Sequence, residues 1–418
     1  MTNETDGMNS AANTDIETQI RALMFGADFG DPQLGRNMER ELRERLHRAR
    51  KENRPLRVYA GYDPSGPDIH LGHTITLRKL RLFQDFGHDV TFLIGTFTAQ
   101  VGDTSDKTSG RPRKTREEVQ AASQTYAEQC FKILDRDRIQ VRYNGDWLEK
   151  MTLADVIGLS SNFTVQQFLA RDNYKKRLEA GNPVGLHEFL YALLQGYDAV
   201  HLQCDVQLGA TDQLFNIMAG RKLQEAHGQL PCICLTYPIL VGTDGKMRMS
   251  KSAGNYIGLA ESPETQFGKT MSLSDETMLD FMRLVTRWTP DQVETYRSQV
   301  ADGRLHPMAM KKILAREVVA MYHGEAAAEQ AQIHFEHVHQ KQNLPESMPE
   351  FHVVPGMNLI EFLAARQLIG SKSQARRLMD GAGLKIDGEP VRDYNATLER
   401  ACVLQVGKRG FYQIRMDT

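Results

Sequence analysis

The chain has 418 residues, with 51 Lys and Arg against 53 Asp and Glu and a formal net charge of −2. That length asks for roughly two to four domains, and the even charge excludes capture of nucleic acid by a global basic field, so any such contact must come from local patches. Hydrophobic residues make up 41% and charged residues 25%, with no apolar run of membrane-spanning length, which describes a globular chain with no membrane partner.

The first twenty residues, MTNETDGMNSAANTDIETQI, carry four acidic groups and no Lys or Arg. Neither a secretory signal nor an Arg-rich transit peptide looks like this, and a disordered tail is expected. From Ile16 to about Asn53 the pattern predicts short charged helices, clearest in MERELRERLHRARKE. LRVYAGY (56–62) is a compact β run, LRKLRLFQDFG (77–87) has helical spacing ended by Gly87, and HDVTFLIG (88–95) is a second buried strand. Strand, loop, helix and strand make a βαβ unit and predict a parallel sheet. Ligands of such sheets sit beyond the carboxyl ends of the strands, beside the loop of residues 63–69.

Helical patterning follows from about Thr115 to Tyr197. LTYPILVG (235–242) reads as a late strand, succeeded by the polar, mobile-looking loop TDGKMRMSKSAGN. Helical spacing returns from about Pro263 to Gln342. QNLPESMPEFHVVPG has three prolines in fifteen residues and no helical period, so it reads as a linker before a separate small module. Cys130, Cys204, Cys232, Cys234 and Cys402 form no CxxC pair. Cys232 and Cys234 flank Ile233 on one face of a strand-like run, the pattern of reduced core thiols, and the expected compartment is the cytoplasm.

GYDPSGPDIHLGHT (61–74) places His70 and His73 three residues apart after a Pro- and Gly-rich turn. A zinc site needs a third ligand. LHEFLY (186–191) supplies only half of an HExxH pattern, because Tyr191 stands where the second ligand belongs, and His334, His337 and His339 read as surface residues of a helix. No metal site is expected. A strand feeding a helix N-terminus instead offers backbone N–H groups and a positive dipole end to an anion, and imidazole donors add to that field. Gly72 leaves room for a flat ring against the helix. Alone, the motif does not separate this reading from ordinary surface histidines. MRMSKSAGN (247–255) supplies Arg248, Lys251 and two hydroxyls in a second loop that can close over a polyphosphate.

HLGH followed by RMSKS resembles the paired signatures of class I aminoacyl-tRNA synthetases. YAGYDPSGPDIHLGH, VGDTSDK, HEFLYALLQGYD, QLGATDQLFN and MSKSAGNYIG resemble, in order, segments of the bacterial-type tyrosyl-tRNA synthetases, and the likeness extends over roughly residues 50–418. It implies a Rossmann-like, doubly wound parallel-sheet catalytic domain with a helical insertion (51–262) after an N-terminal tail and helices (1–50). A helical anticodon-side domain (263–342), a linker (343–356) and a small α+β S4 RNA-binding domain (357–418) would follow.

By the same resemblance, Tyr59 and Asp198 meet the phenolic hydroxyl of L-tyrosine, while Asp103, Tyr191 and Gln195 hold its ammonium. Asp63 and Gln213 complete that pocket. Asp212 binds the ATP ribose, Gly61 and Gly72 let the nucleotide approach, and Met249, Ser250 and Lys251 belong to the loop over the phosphates. His70, His73, Lys251 and Arg248 are the catalytic donors, helped by Lys107. Each polar group also has a plainer reading as a core or solvated residue. Tyr191, Gln195 and Asp198, however, are spaced i, i+4, i+7 and share one face of a helix in an apolar stretch. Tryptophanyl synthetases are the nearest alternative; Asp198 in QGYDAV, an acceptor placed for a phenol, favours tyrosine.

The implied reaction is attack of the tyrosine carboxylate on the α-phosphorus of ATP, accompanied by Mg²⁺, and then transfer of the tyrosyl group to the terminal ribose of tRNA(Tyr). Three departures from the family pattern stand out: Thr104 and Asp106 within GDTSDK, Ala210 before TDQ, and Arg248 for the first Lys of the second signature. In MNLIEFLAARQLIGSKSQARRLMDGAGLKIDGEPV (357–391), Ser371 and Gln374 form an expected capping box, and Lys372, Arg376 and Arg377 make a basic helix suited to RNA phosphates. Family members are homodimers, through the helical insertion following the second strand. A scaffold protein that binds RNA without ligating, and a paralogue that charges another acceptor, are the alternatives. The first would lack a motif present here, and the second would lack the tail.

Overall fold

The computed structural model describes residues 14–64, 68–103, 115–342, 348–407 and 410–417; within 338–342 the side chains are not included. Residues 1–13 of the expected tail, and Thr104, Asp106 and Lys107 of the GDTSDK segment, lie outside the described residues. The chain divides into two compact units, Met1–Gln332 and Ile333–Thr418.

The first unit is built on five strands: β1 (Arg57–Tyr62), β2 (Asp89–Ile94), β3 (Ile139–Tyr143), β4 (Val206–Ala210) and β5 (Ile233–Tyr237). Their order is β3-β2-β1-β4-β5 and every pairing is parallel. Val58, Tyr59 and Ala60, Phe92, Leu93 and Ile94, and Ile233, Cys234 and Leu235 are buried in succession, because helices cover both faces of the sheet and alternation gives way to continuous apolar runs. The strand order reverses between β1 and β4, so a crevice opens where their carboxyl ends diverge.

Three strands of this sheet departed from expectation, and one of them, β4, falls in a stretch to which the sequence pattern assigns no element. β3 lies inside the region read as helical; IQVRY, at the sheet edge, has no fully buried side chain and mixes polar with apolar residues, which gives a weak apolar signal. The late strand ends at Tyr237, because Pro238 cannot continue the ladder. The charged N-terminal region forms helices Ile16–Met24 and Pro32–Lys51, capped by Asp15 and Asp31. Arg45 and Arg54 reach Asp205 at 3.0 and 2.8 Å, and the Arg57 N–H donates to the same carboxylate at 2.9 Å, tying this region to the starts of β1 and β4. Helices Pro263–Met271, Asp275–Leu284, Pro290–Ala301 and Pro307–His323 open on Ser262, Ser274, Thr289 and His306 caps. Phe281, Met282, Leu314 and Val318 join the same core as the sheet, so residue 262 marks no break in packing.

The second unit has its own core, including Leu359, Phe362, Leu363, Met379, Leu384, Leu404 and Ile414. Its sheet runs β6-β12-β11-β8-β9, with a separate β10-β7 ribbon, where β6 is Glu350–Val353, β7 Met357–Asn358, β8 Leu384–Ile386, β9 Glu389–Pro390, β10 Thr397–Leu398, β11 Cys402–Val406 and β12 Gly410–Met416. The supposed linker therefore contains a strand. Pro349 and Pro355 bracket β6, and its partner β12 lies so far along the chain that no local pattern announces the pairing.

Candidate active site

His70 is the N-cap of the helix Leu71–Asp85. Its Nδ1 accepts from the Gly72 N–H at 3.2 Å, and His73 Nδ1 accepts from the His70 N–H at 3.2 Å, a reciprocal capping box made of two imidazoles. Burial pushes the His70 pKa down to about 2, with His73, Lys251 and Arg248 adding to the shift; burial and Lys251 hold His73 at about 4. Both rings are therefore neutral near pH 7. Because each Nδ1 accepts, each proton sits on Nε2, leaving two fixed Nε2–H donors. The expectation of free backbone N–H groups at this terminus fails. Leu71 N–H donates to Ile257 O, Gly72 N–H to His70, and His73 N–H to His70 O. The imidazoles stand in place of the amides they cap. The ring that Gly72 accommodates is that of His70, whose Cε1 would lie 3.0 Å from an added Cβ.

A cavity of about 560 Å³ opens at the switch point. It is lined by Tyr59, Gly61, Asp63, His70, Gly72, His73, Asp103, Tyr191, Gln195, Asp198, Asp212, Gln213, Arg248, Met249, Ser250 and Lys251, the residues expected to meet tyrosine, ATP or the phosphates apart from Lys107, which lies outside the described residues. Tyr191, Gln195 and Asp198 come from the helix Leu186–Leu202. Asp198 is 2% exposed; Trp147 Nε1 donates to its Oδ1 at 2.9 Å and Asn144 Nδ2 to its Oδ2 at 3.2 Å. Burial outweighs these donors, and its pKa is pushed up to about 8. Tyr59 is 1% exposed, and its hydroxyl is buried without a hydrogen-bond partner among the described residues. An unmet polar group of this kind costs about 1–3 kcal/mol and is rare unless something satisfies it.

Asp63 Oδ2 accepts from the Tyr191 hydroxyl at 2.9 Å, and its Oδ1 from Thr98 Oγ1 at 2.8 Å. Gln213 Nε2 donates to Asp103 at 2.6 Å, while Asn216 Nδ2 donates to Gln195 Oε1 at 3.0 Å and Gln213 Oε1 at 3.2 Å. Asp212, raised to about 6 by burial and then by Asp103, has an Oδ1 with no hydrogen bond among the described residues. Among the described residues Gly61 would meet only Leu93 Cδ2, at 3.7 Å, with an added Cβ, so their packing does not demand its glycine. The half HExxH has a structural explanation: Glu188 is buried against Arg177 and accepts from Gly185 N–H at 2.9 Å.

The second signature loop is less open than its sequence indicates. Gly242 N–H donates to Met247 O at 2.8 Å and Met249 N–H to Leu240 O at 2.8 Å. Asn255 ties its interior: Nδ2 reaches Asp244 Oδ2 at 3.0 Å and Arg248 O at 3.1 Å, and Oδ1 accepts from Ser250 N–H at 2.9 Å. A Cβ on Gly242 would lie 2.2 Å from the Asn255 amide, so the two residues require each other. The loop then presents Arg248, Ser250 and Lys251 to the cavity.

In the second unit, Lys372, Arg376 and Arg377 are exposed on the helix Lys372–Asp380. Lys372 lies 3.2 Å from Glu361 and Arg376 stacks over Tyr394. Ser371 caps the helix, but the Gln374 side chain reaches Gly370 N–H at 2.8 Å, one residue beyond the capping-box position.

The sequence reading missed Gly95, Thr98, Asn144, Trp147 and Asn216, which hold the lining residues rather than announce themselves. A Cβ at Gly95 would fall 1.9 Å from Asp63 Oδ1, so only glycine leaves that carboxylate its place. Locating β3 would have placed Asn144 and Trp147 at a strand's carboxyl end; no local signal marks the others.

A parallel sheet with neutral histidine donors at its switch point and a basic loop opposite defines a nucleotide-using α/β protein. The family model described as tRNA synthetases class I (W and Y) matches residues 51–340, and the chain belongs to that family. A tyrosine–tRNA ligase of Thermotoga maritima is 47% identical over 378 residues, covering 90% of this chain and 93% of that protein. One from Haemophilus influenzae is 44% identical over 405 residues, covering 97% and 98%. The fold is shared with a C-terminally truncated mitochondrial tyrosyl-tRNA synthetase of Aspergillus nidulans (TM-score 0.62, 21% identity, 80% of this chain and 99% of that one). It is also shared with a tyrosyl-tRNA synthetase of Archaeoglobus fulgidus solved with L-tyrosine (TM-score 0.59, 23% identity, 76% and 100%).

Proposed function

We propose that this chain is a tyrosine–tRNA ligase that activates L-tyrosine with ATP and transfers it to the 3′-terminal ribose of tRNA(Tyr). The observation that carries the choice of amino acid is the Tyr59 hydroxyl, buried without a hydrogen-bond partner among the described residues in a cavity it shares with Asp198. A phenol gives the Tyr59 hydroxyl its missing partner and adds a bond to Asp198, which Trp147 and Asn144 already meet; a phenylalanine ring leaves the Tyr59 hydroxyl unmet, and a penalty of this kind is worth about 10⁴ to 10⁵ in discrimination. Asp103, Tyr191 and Gln195 hold the substrate ammonium, with Asp63 and Gln213 completing the pocket, and Asp212 takes the ribose.

The tyrosine carboxylate attacks the α-phosphorus in line and pyrophosphate leaves, so the protein's work is positioning and charge stabilisation. The His70 and His73 Nε2–H donors meet the developing charge without needing a proton from solvent, and Lys251 and Arg248 draw the leaving phosphates. Removal of one such donor costs about 10² to 10³ in rate. Among the described residues no three His, Cys, Asp or Glu side chains group as a metal site. Mg²⁺ accompanies ATP on its phosphates with several of its waters rather than in an all-protein cage.

The second unit acts as an S4 RNA-binding domain through Lys372, Arg376 and Arg377, and the helices of 263–342 face the anticodon side. The protein works as a cytoplasmic homodimer, a reading supported by Leu153, Ile157 and Leu186, which are 76%, 60% and 83% exposed in the helical segment between β3 and β4. Amino-acid-dependent ATP–pyrophosphate exchange, screened across all twenty amino acids without tRNA, tests the proposal. Exchange with tyrosine alone is expected. Exchange with tryptophan would overturn the pocket assignment, and no exchange at all would favour a scaffold that has lost ligation.

A further inference from the structure

The two signature motifs lie on different elements, yet one short stretch of the N-terminal region bonds to both. Lys79, on the helix that His70 caps, donates from Nζ to Ala22 O at 2.7 Å and Phe25 O at 2.8 Å. These carbonyls belong to the end of the helix Ile16–Met24, where cations are favoured. At the end of β5, the strand that leads into the second signature loop, the Tyr237 hydroxyl donates to Leu23 O at 2.7 Å. Thr236 Oγ1 donates to Asp28 O, and Asp28 N–H returns a bond to Thr236 O at 2.8 Å. Lys79 Nζ also lies 5.2 Å from the centroid of the Tyr237 ring, so the two anchors touch each other. Leu23 and Tyr237 are wholly buried. Burial pushes the Lys79 ammonium down to about 7, and the two carbonyls are the groups that repay its desolvation.

Such an arrangement exceeds what docking an apolar helix requires. Ile16, Ile20 and Leu23 already bury its apolar stripe, whereas every polar bond named above ends on the helix that His70 caps or on the strand that leads into the second signature loop. We infer that residues 22–28 are a clamp that sets the separation of the histidine pair from the Arg248–Lys251 loop, with Lys79 and the Tyr237 hydroxyl as its positioning groups. The inference rests on the reading of His70 and His73 as donors to phosphate. Tyr237 lines the cavity through its ring, while its hydroxyl faces Leu23, so Tyr237→Phe removes the clamp bond and leaves the lining in place.

The test uses the full-length protein, with tyrosine-dependent ATP–pyrophosphate exchange and, separately, equilibrium binding of tyrosine without ATP. Lys79→Met is expected to lower the exchange kcat by about 10- to 100-fold, the scale of a misplaced catalytic group, with the tyrosine Kd unchanged within about twofold. Tyr237→Phe is expected to lower kcat in the same sense by a smaller factor. Introduced into a protein that already carries both His70→Ala and His73→Ala, Lys79→Met is expected to cost less than about twofold more, because a residue that acts through the histidine pair has nothing left to position. Losses that multiply in that combined variant, or a kcat unmoved in both single variants, would overturn the clamp. A tyrosine Kd that weakens in step with kcat would also overturn it, since that reports general loosening. If Lys79→Met does not fold, Tyr237→Phe carries the test by the same two readouts and the same background. Wild-type exchange separates the two readings: its absence sinks the proposed function, whereas normal wild-type exchange with unaltered variants sinks only the clamp.

Discussion

Replacing Asp198 by Asn keeps the side chain's shape and removes its titration. In the folded chain burial holds this carboxyl at about 8, against an ordinary value of 3.8; Asn144 and Trp147 pull it down and Asp63 adds to the rise. A folded-state pKa above the unfolded one means that the folded protein keeps a proton the unfolded chain releases. The stability this group contributes is therefore fully present below the unfolded value and is lost as pH rises through the folded value. The full slope is about 1.36 kcal/mol per pH unit, so from pH 5 to pH 7 the wild type should lose up to about 2.7 kcal/mol relative to Asp198→Asn. Urea unfolding of both proteins without ligand at pH 5, 6 and 7 measures the difference. A wild-type-minus-variant difference that stays constant over that range would refute the argument, because it would mean that Asp198 ionises in the folded state as easily as in water.

Gly95→Ala would push a methyl onto Asp63 Oδ1; we expect KM for tyrosine to rise roughly tenfold or more, with KM for ATP little changed, in steady-state exchange. Asn255→Ala unties the Asp244, Arg248 and Ser250 contacts. It should raise KM for ATP, leave tyrosine binding intact and expose residues 244–255 to limited proteolysis, three readouts that fall together only if the knot shapes the loop. Because burial holds His70 and His73 at about 2 and 4, the ring signals lost in His70→Ala and His73→Ala should not move between pH 5.5 and 8 by NMR. A midpoint near 6.5 for either would mean that the rings are solvated and charged on demand. Both histidines are depressed bases, so their stabilising contribution is present above about 6.5 and falls away as pH drops toward their folded values.

What the sequence alone determined is the chemistry and its neighbourhood. Periodicity found β1, β2 and the helix between them, and the turn before His70 put the imidazoles at a strand's carboxyl end. The i, i+4, i+7 spacing of Tyr191, Gln195 and Asp198 put three polar groups on one helical face. These are local relations, and local steric rules settle them. Tertiary structure decided the rest. β3 is an edge strand whose half-polar pattern is meaningful only beside β2, and β6 finds its partner at the far end of the second unit. Whether His70 would offer backbone amides or its own ring depended on Ile257 O and on the reciprocal bonds with His73, which no spacing encodes. Gly95 matters because Asp63 comes to lie against it, and Trp147 because a distant helix brings Asp198 within 2.9 Å. Charge and burial follow the same division. Sequence names the titratable groups, but only the packed surroundings fix how far each is desolvated, and desolvation is the largest influence on His70, His73 and Asp198 alike.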